Sequence, residues 1–171
     1  MDNVTLRTVC KSDAEFLHSI MNHEAILDAL NEVPTQIHDW TDAIAEWSQD
    51  EDEEDHIICL DGEPIGWLGI NGLSSADKIA YLKLAAILPA YHNRGIGCTA
   101  IRRIIDALRQ RGYAKLLLYT DQANCKAQAC YRKCGFVTTE LLTEEMSNGK
   151  TVARCKMELI LNNIQSIKPD L

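Results

Sequence analysis

The chain has 171 residues and a formal net charge of −8, with apolar side chains at 46% and charged ones at 25%. That length suits one core-forming domain, assigned to residues 1–161, with a C-terminal tail at 162–171. The acidic balance argues against nucleic acid as a partner, because it repels phosphate backbones, and favours a cationic substrate.

The opening stretch MDNVTLRTVCKSDAEF has no apolar block behind a basic start, and no apolar run reaches bilayer-spanning length. No membrane partner is expected, and the location is read as cytoplasmic. Seven cysteines form an odd set without a C-x-x-C pair. Such a set fits neither a disulfide framework nor a closed zinc site, so reduced thiols and no metal are expected. Cys130 and Cys134, one helical turn apart, read as small buried apolar side chains.

Residues 4–9 read as a first strand, with Ser12 or Asp13 as the N-cap of a helix carrying Ala14, Leu17, His18, Ile20 and Met21. The segment 22–36, with Pro34, reads as irregular. Residues 37–48 make a second helix with Trp40, Ile44 and Trp47 on one face. The like charges of Asp50-Glu51-Asp52-Glu53-Glu54-Asp55 repel one another and predict a solvated loop. Strands at 56–60 and 65–73 flank Asp61-Gly62, a hairpin signal, and a strand at 79–88 is expected to pair antiparallel with them.

The end of that strand, Leu84-Ala85-Ala86-Ile87-Leu88, is apolar throughout and stops at Pro89, as a strand covered on both faces would. Downstream, Ile101, Ile104, Ile105 and Leu108 recur at helical spacing with Arg102, Arg103, Asp106 and Arg109 opposite, and Gly112 closes the helix. Between strand and helix lies His92-Asn93-Arg94-Gly95-Ile96-Gly97. Gly95 and Gly97 lack a Cβ, so the backbone can turn its amides toward a ligand and let it approach. At a helix start, with the positive end of the dipole, those amides make a site for a phosphate or pyrophosphate, against the alternative of a plain tight turn. Residues 115–120 are a strand parallel to its predecessor, because a helix makes the crossover. Residues 124–134 form the last helix, and strands at 136–143 and 151–161 enclose Ser147-Asn148-Gly149. No internal repeat or linker interrupts this order.

Three phosphate-binding patterns compete for the glycine pair. A P-loop needs Lys and Ser/Thr after its last glycine, and Gly97 is followed by Cys98-Thr99. Gly95-x-Gly97-x-x-Ala100 fits the dinucleotide fingerprint, with Asp121 about twenty residues on. Residues 89–94, however, separate the glycines from the strand, and too little chain follows for two mononucleotide halves. The third pattern, Ile87-x-Pro89-x-Tyr91-His92-Asn93-Arg94-Gly95-Ile96-Gly97, resembles the acetyl-CoA signature of the GNAT N-acetyltransferase superfamily, V-x-P-x-Y followed by Q/R-x-x-G-x-G/A. Asn124-x-x-Ala127-x-x-x-Tyr131-x-x-x-Gly135-Phe136 resembles that family's second signature. His92 stands where the family usually has Gln or Arg.

The resemblance implies an α/β (α+β) fold, the GNAT acyl-CoA N-acyltransferase fold: a mixed, mostly antiparallel sheet of about seven strands with a central splayed parallel pair, flanked by about four helices. It implies acetyl-CoA as co-substrate, bound between the strands that end near Leu88 and Thr120. Backbone groups of Ala85 and Ile87 would pair with the pantetheine arm, and the amides of Asn93, Arg94, Gly95, Ile96, Gly97, Cys98 and Thr99 with the pyrophosphate. His92 and Asn124 would face the same cofactor. Tyr131 would be the catalytic acid that protonates the departing thiolate, and the amide of Ile87 or Leu88 the oxyanion donor.

Many family members carry a Glu on the strand before the glycine turn. Here residues 80–88 hold no acid and one charge, Lys83. The base therefore stays open among Glu24, Asp28, Glu32, His56 and a water chain. The implied reaction is acetyl transfer to a primary amine of a small molecule or peptide, by direct attack in a ternary complex. A non-catalytic acyl-CoA sensor of the same fold is the alternative. A polyamine, an aminoglycoside-like sugar amine or a peptide amine would suit the acidic surface, and a homodimer is the oligomeric expectation.

Overall fold

Strands that are apolar on both sides need cover on both faces, and the chain supplies it with helices on either side of one sheet. A computed structural model describes residues 3–162. In chain order the elements are β1 (Val4–Thr8), a 3-10 turn (Lys11–Asp13), α1 (Ala14–Met21), α2 (Glu24–Leu30), α3 (Ile37–Trp47), β2 (Glu54–Leu60), β3 (Glu63–Asn71) and β4 (Ile79–Ile87). A second 3-10 turn (Pro89–Tyr91), α4 (Ile96–Gln110), β5 (Lys115–Asp121), α5 (Cys125–Lys133), β6 (Val137–Glu145) and β7 (Thr151–Ile160) follow. The seven strands form one sheet in the order β1-β2-β3-β4-β5-β7-β6. Every pairing is antiparallel except β4 with β5, as the helical crossover requires.

The core divides by sheet face. On one side Ile101, Ile104, Ile105 and Leu108 of α4 pack with Leu68, Leu82, Leu116 and Met157, and α5 joins them through Cys130 and Tyr131. On the other, Leu17 and Ile20 of α1 and Trp40 and Ile44 of α3 cover Ile57, Trp67 and Ala86. Each fully buried Ile or Leu contributes about 1.5–3 kcal/mol, so the two layers hold β3 and β4 from both faces.

Three expectations change. Segment 22–36 contains α2, begun by His23, whose Nδ1 accepts from Ala25 N at 3.3 Å, and ended by Asn31 at φ 56°. Its seven residues are too few for a periodic signal. Asp13 stands at the N-cap position of α1 but caps nothing there; its carboxylate grips Arg7 at 2.7–2.8 Å and the Cys10 amide at 2.8 Å. The acidic run is no mere solvated loop either. Asp52 accepts from the amides of Gly72 and Ser74, and Glu54 and Asp55 already belong to β2. Five α-helices occur among the described residues, and Gly112, at φ 78°, ends α4 as its sequence position suggests. Asn162 follows β7, and residues 163–171 of the expected tail lie outside the described residues. No helix of the described chain is long and apolar enough to cross a membrane.

Candidate active site

β4 and β5 begin as neighbours and then part. Their register holds for three residues, Ile79↔Lys115, Ala80↔Leu116 and Tyr81↔Leu117, whereas β4 runs on to Ile87 and β5 to Asp121. The register between β3 and β4 shifts between Gly69 and Ile70, and Lys83 is the extra residue on β4. A bulge bends and twists its strand, which turns the rest of β4 away from β5. At the strand end the Leu88 amide donates to the Ile65 carbonyl at 2.9 Å. Successive residues alternate in direction, so Ile87 and Ala85 aim their backbone groups away from β3 and into the gap, as an added extended ligand needs. The same bond corrects one expectation: the Leu88 amide is consumed by β3, so of the two amides expected to meet an oxyanion only that of Ile87 points away from β3.

Past β4, the His92 Nε2–H donates to the Ile87 carbonyl at 2.7 Å. His92 thus turns back toward the strand and takes up a carbonyl expected to meet pantetheine. Asn93 and Gly95 adopt left-handed φ of 61° and 76°, which brings the chain round to start α4 at Ile96. The amides of Ile96, Gly97 and Cys98 fall in the first turn, where no intrahelical acceptor exists. Thr99 is different: its amide and hydroxyl both donate to the Gly95 carbonyl, at 3.0 and 3.1 Å, so it drops out of the expected pyrophosphate set. A Cβ on Gly97 would meet Ile87 Cδ1 at 3.5 Å and Cys130 Sγ at 3.8 Å. Those are ordinary contacts, so packing inside the protein does not itself require a glycine at this position. Arg94 lies over the Tyr91 ring, 5.7 Å from its centroid.

α5 closes this end of the gap. Asn124 caps it, its Oδ1 accepting from Ala127 N at 3.1 Å, which fixes the side chain with its amide nitrogen still able to donate to a ligand. Tyr131 packs edge-on against Phe136 with centroids 5.9 Å apart. Burial pushes its phenol above the ordinary value, which keeps it protonated near neutral pH, as a proton donor must be. Its neighbour Cys130 is the residue that meets Gly97 beside Ile87, so β4, α4 and α5 converge there. The Sγ atoms of Cys98, Cys130 and Cys134 lie within 4.8 Å of one another. Sequence reasoning took Cys130 and Cys134 for packing and named Cys98 only for its backbone amide, with no signal that its sulfur joins them from another helix.

The opposite face of the sheet carries charge. Lys83 ion-pairs with Glu53 and, at 3.2 Å, with Asp55, and its ammonium lies over the Trp47 and Trp67 rings at 4.5 and 5.5 Å. Trp67 Nε1 donates to Asp55 at 2.7 Å. Burial pushes Asp55 up to about 7 and Lys83 down to about 8, and their mutual attraction opposes both pushes. Beside them a groove of about 240 Å³ is lined by Asn71, Tyr81, Leu82, Lys83, Tyr119, Glu144 and Arg154. Arg154 holds Glu144 at 2.8 Å and Asp121 at 3.4 Å. The stretch after α2 reaches across this end: Asn31 Nδ2 donates to Asp121 at 2.6 Å, and the Asn148 amide to the Asn31 carbonyl at 3.2 Å. Glu24 and Asp28 are exposed on α2, and Glu32 is half-buried just past it.

His56, a candidate base, is not on this face. It lines a separate cavity of about 490 Å³ with Arg7, Glu54, Arg103 and Arg111 between β1 and α4, where burial lowers its basicity. That larger cavity contains none of the signature residues.

The chain matches the Acetyltransferase (GNAT) family over residues 20–136. It is similar to a spermidine N(1)-acetyltransferase of Vibrio cholerae, 26% identical over 148 residues that cover 83% of each protein. A mycothiol acetyltransferase of Corynebacterium glutamicum is 29% identical over 97 residues, 56% of this chain, which spans 32% of that relative's length. Among solved structures, spermidine N-acetyltransferase from Vibrio cholerae in complex with CoA and spermine superposes with a TM-score of 0.84 at 23% identity, covering 92% of this chain and 95% of that one. AAC(6')-Ib in complex with Parmomycin and AcetylCoA superposes at 0.77 with 21% identity, covering 93% and 94%. At such identities these likenesses speak for the fold. A gapped parallel pair, a bare helix start and a family match across most of the chain converge, and the protein belongs to the acetyltransferase (GNAT) family, N-acetyltransferases that use acetyl-CoA as co-substrate.

Proposed function

We propose that the protein transfers the acetyl group of acetyl-CoA to a primary amine of a small polycationic molecule. The observation that carries this is the β4–β5 gap, open after three paired residues, with the backbone of Ala85 and Ile87 aimed into it. Pantetheine would lie along β4, and its pyrophosphate would meet the amides from Asn93 to Cys98, with the Asn124 amide group beside it.

In the reaction, the amine nitrogen attacks the thioester carbonyl and forms the C–N bond. The Ile87 amide donates to the oxyanion, the C–S bond breaks, and the leaving thiolate takes the Tyr131 phenol proton. A water chain through the groove takes the proton that the attacking nitrogen loses and returns one to the Tyr131 phenolate, so the protein ends in its starting protonation state.

A polyamine or sugar amine suits the acids around the groove, where Glu144 and Asp121 set two negative charges against the one positive charge of Arg154 that holds both, and those on α2. The names of the similar proteins, a spermidine acetyltransferase and a paromomycin-bound acetyltransferase, point the same way. We extend the proposal to a cytoplasmic setting, because seven free thiols persist in a reducing compartment. It also includes self-association through β6, an edge strand exposing Val137 and Leu141, which light scattering can check.

The test is a thiol-release screen of acetyl-CoA against spermidine, spermine, an aminoglycoside and lysine-containing peptides at low and high salt. Polyamines or sugar amines are expected to lead, with rates that fall as salt rises. A preference for peptides or neutral amines would overturn the acceptor assignment. Tight acetyl-CoA binding without amine-dependent thiol release would favour the sensor instead.

A further inference from the structure

We infer that Cys98, Cys130 and Cys134 form a binding site for one thiophilic d10 cation, Zn(II) or Cu(I), set directly beneath the first turn of α4. This goes beyond acetyl transfer and stands without it.

Three sulfurs from two helices meet here. Cys98 is the third residue of α4, and Cys130 and Cys134 lie one turn apart at the end of α5. Their Sγ atoms all lie within 4.8 Å of one another. Cys98 and Cys130 are 2.7 Å apart, closer than two unlinked thiols rest and longer than the roughly 2.05 Å of a disulfide. At a Zn–S length of about 2.3 Å, tetrahedral thiolates stand about 3.8 Å apart. Cys98 and Cys130 would have to part by about 1 Å to reach that spacing, and no pair stands more than about 1 Å beyond it. Soft thiolates select soft cations such as Cu(I) and Zn(II), and carboxylate-preferring ions are excluded.

The ligand count makes the site open. No His, Asp or Glu joins the three sulfurs among the described residues, so a Zn(II) ion would keep one position for water, and Cu(I) would sit trigonally. Binding is balanced by proton release: three thiols lose three protons as three metal–sulfur bonds form. The surroundings are already braced, because Arg102 of α4 donates to the Lys133 carbonyl of α5 at 3.1 Å. A bound ion would therefore link the first turn of α4, whose amides face the gap, to the helix that carries Tyr131.

The experiment uses the full chain, reduced and stripped with a chelator. Zn(II) and Cu(I) are titrated against chromophoric competitors, and Co(II) serves as a spectroscopic probe. One equivalent of metal, a thiolate-to-cobalt charge-transfer band, released protons and a raised melting temperature are expected. Cys130→Ser and Cys134→Ser should each weaken binding at least tenfold, while Cys10→Ser and Cys125→Ser, at exposed positions, should leave it unchanged. Should the serine variants fail to fold, alkylation of the wild type followed by peptide mass spectrometry decides: bound metal must shield Cys98, Cys130 and Cys134 selectively. Binding no tighter than in the triple serine variant, no charge-transfer band, or equal alkylation with and without metal would each overturn the site.

Discussion

The imidazole of His92 donates through Nε2–H to the carbonyl of Ile87 at 2.7 Å, tying the start of the glycine turn to the last residue of β4. The bond occupies a group that faces the gap, so His92 shapes the site through the strand. A neutral hydrogen bond is worth about 0.5–1.5 kcal/mol net. His92→Ala is therefore expected to change acetyl-CoA affinity by no more than about tenfold in calorimetry. A loss of a hundredfold or more would put the imidazole on a phosphate instead.

Gly97→Ala separates protein packing from cofactor approach. Its new methyl meets only ordinary contacts inside the protein, and Ala is favoured over Gly in a helix by about 1 kcal/mol. The melting temperature should hold or rise while acetyl-CoA affinity falls about tenfold or more. Equal affinity would mean that the cofactor does not approach this turn.

Tyr131→Phe keeps the edge-on contact with Phe136 and removes only the hydroxyl. Losing a proton donor costs about 10²–10⁴-fold in turnover, so kcat should drop by at least about a hundredfold with acetyl-CoA binding nearly unchanged. The acid form is the protonated one, and burial holds the phenol above its ordinary value. The wild-type kcat should accordingly show no loss traceable to Tyr131 up to about pH 10. Full turnover by the Phe variant at saturating substrates would remove Tyr131 from the mechanism.

Asp55 should make the protein less stable as pH rises from acid to neutral. The unfolded chain releases this proton near the ordinary carboxylate value of about 4, whereas the folded protein keeps it to about 7. The folded state binds more protons between those values, so stability contributed by the group is lost as pH climbs through the window. Lys83, 3.2 Å away, offsets part of this, leaving a change on the order of 1–2 kcal/mol. Asp55→Asn retains an oxygen for Trp67 Nε1 and should lack that slope. Urea melts at pH 4.5 and 7 check this: the variant should gain on the wild type at the higher pH, and a constant difference would mean that the carboxylate is already ionised at the lower one.

The chain's own order of residues determined the strand at 79–88, the helix closed by Gly112, the parallel crossover to β5 and the family, because each rests on local spacing. A glycine pair, a helical stripe and two signatures need no knowledge of what lies across the sheet. α2 escaped because its seven residues, bounded by His23 and Asn31, are held by a cap and by contacts rather than by periodicity.

Only the tertiary structure decided which atoms are spent and which are free. The Leu88 amide is lost to Ile65, the Thr99 amide to Gly95 and the Ile87 carbonyl to His92, all of them hydrogen bonds set by strand register or helix start. His56 fell to the wrong face because side chains alternate along β2, and Asp55 left the apparent solvated run to lie 3% exposed beside Trp67. The three-sulfur cluster is the clearest case: Cys98 and Cys130 are 32 residues apart in the chain, and only the packing of α4 on α5 makes them neighbours.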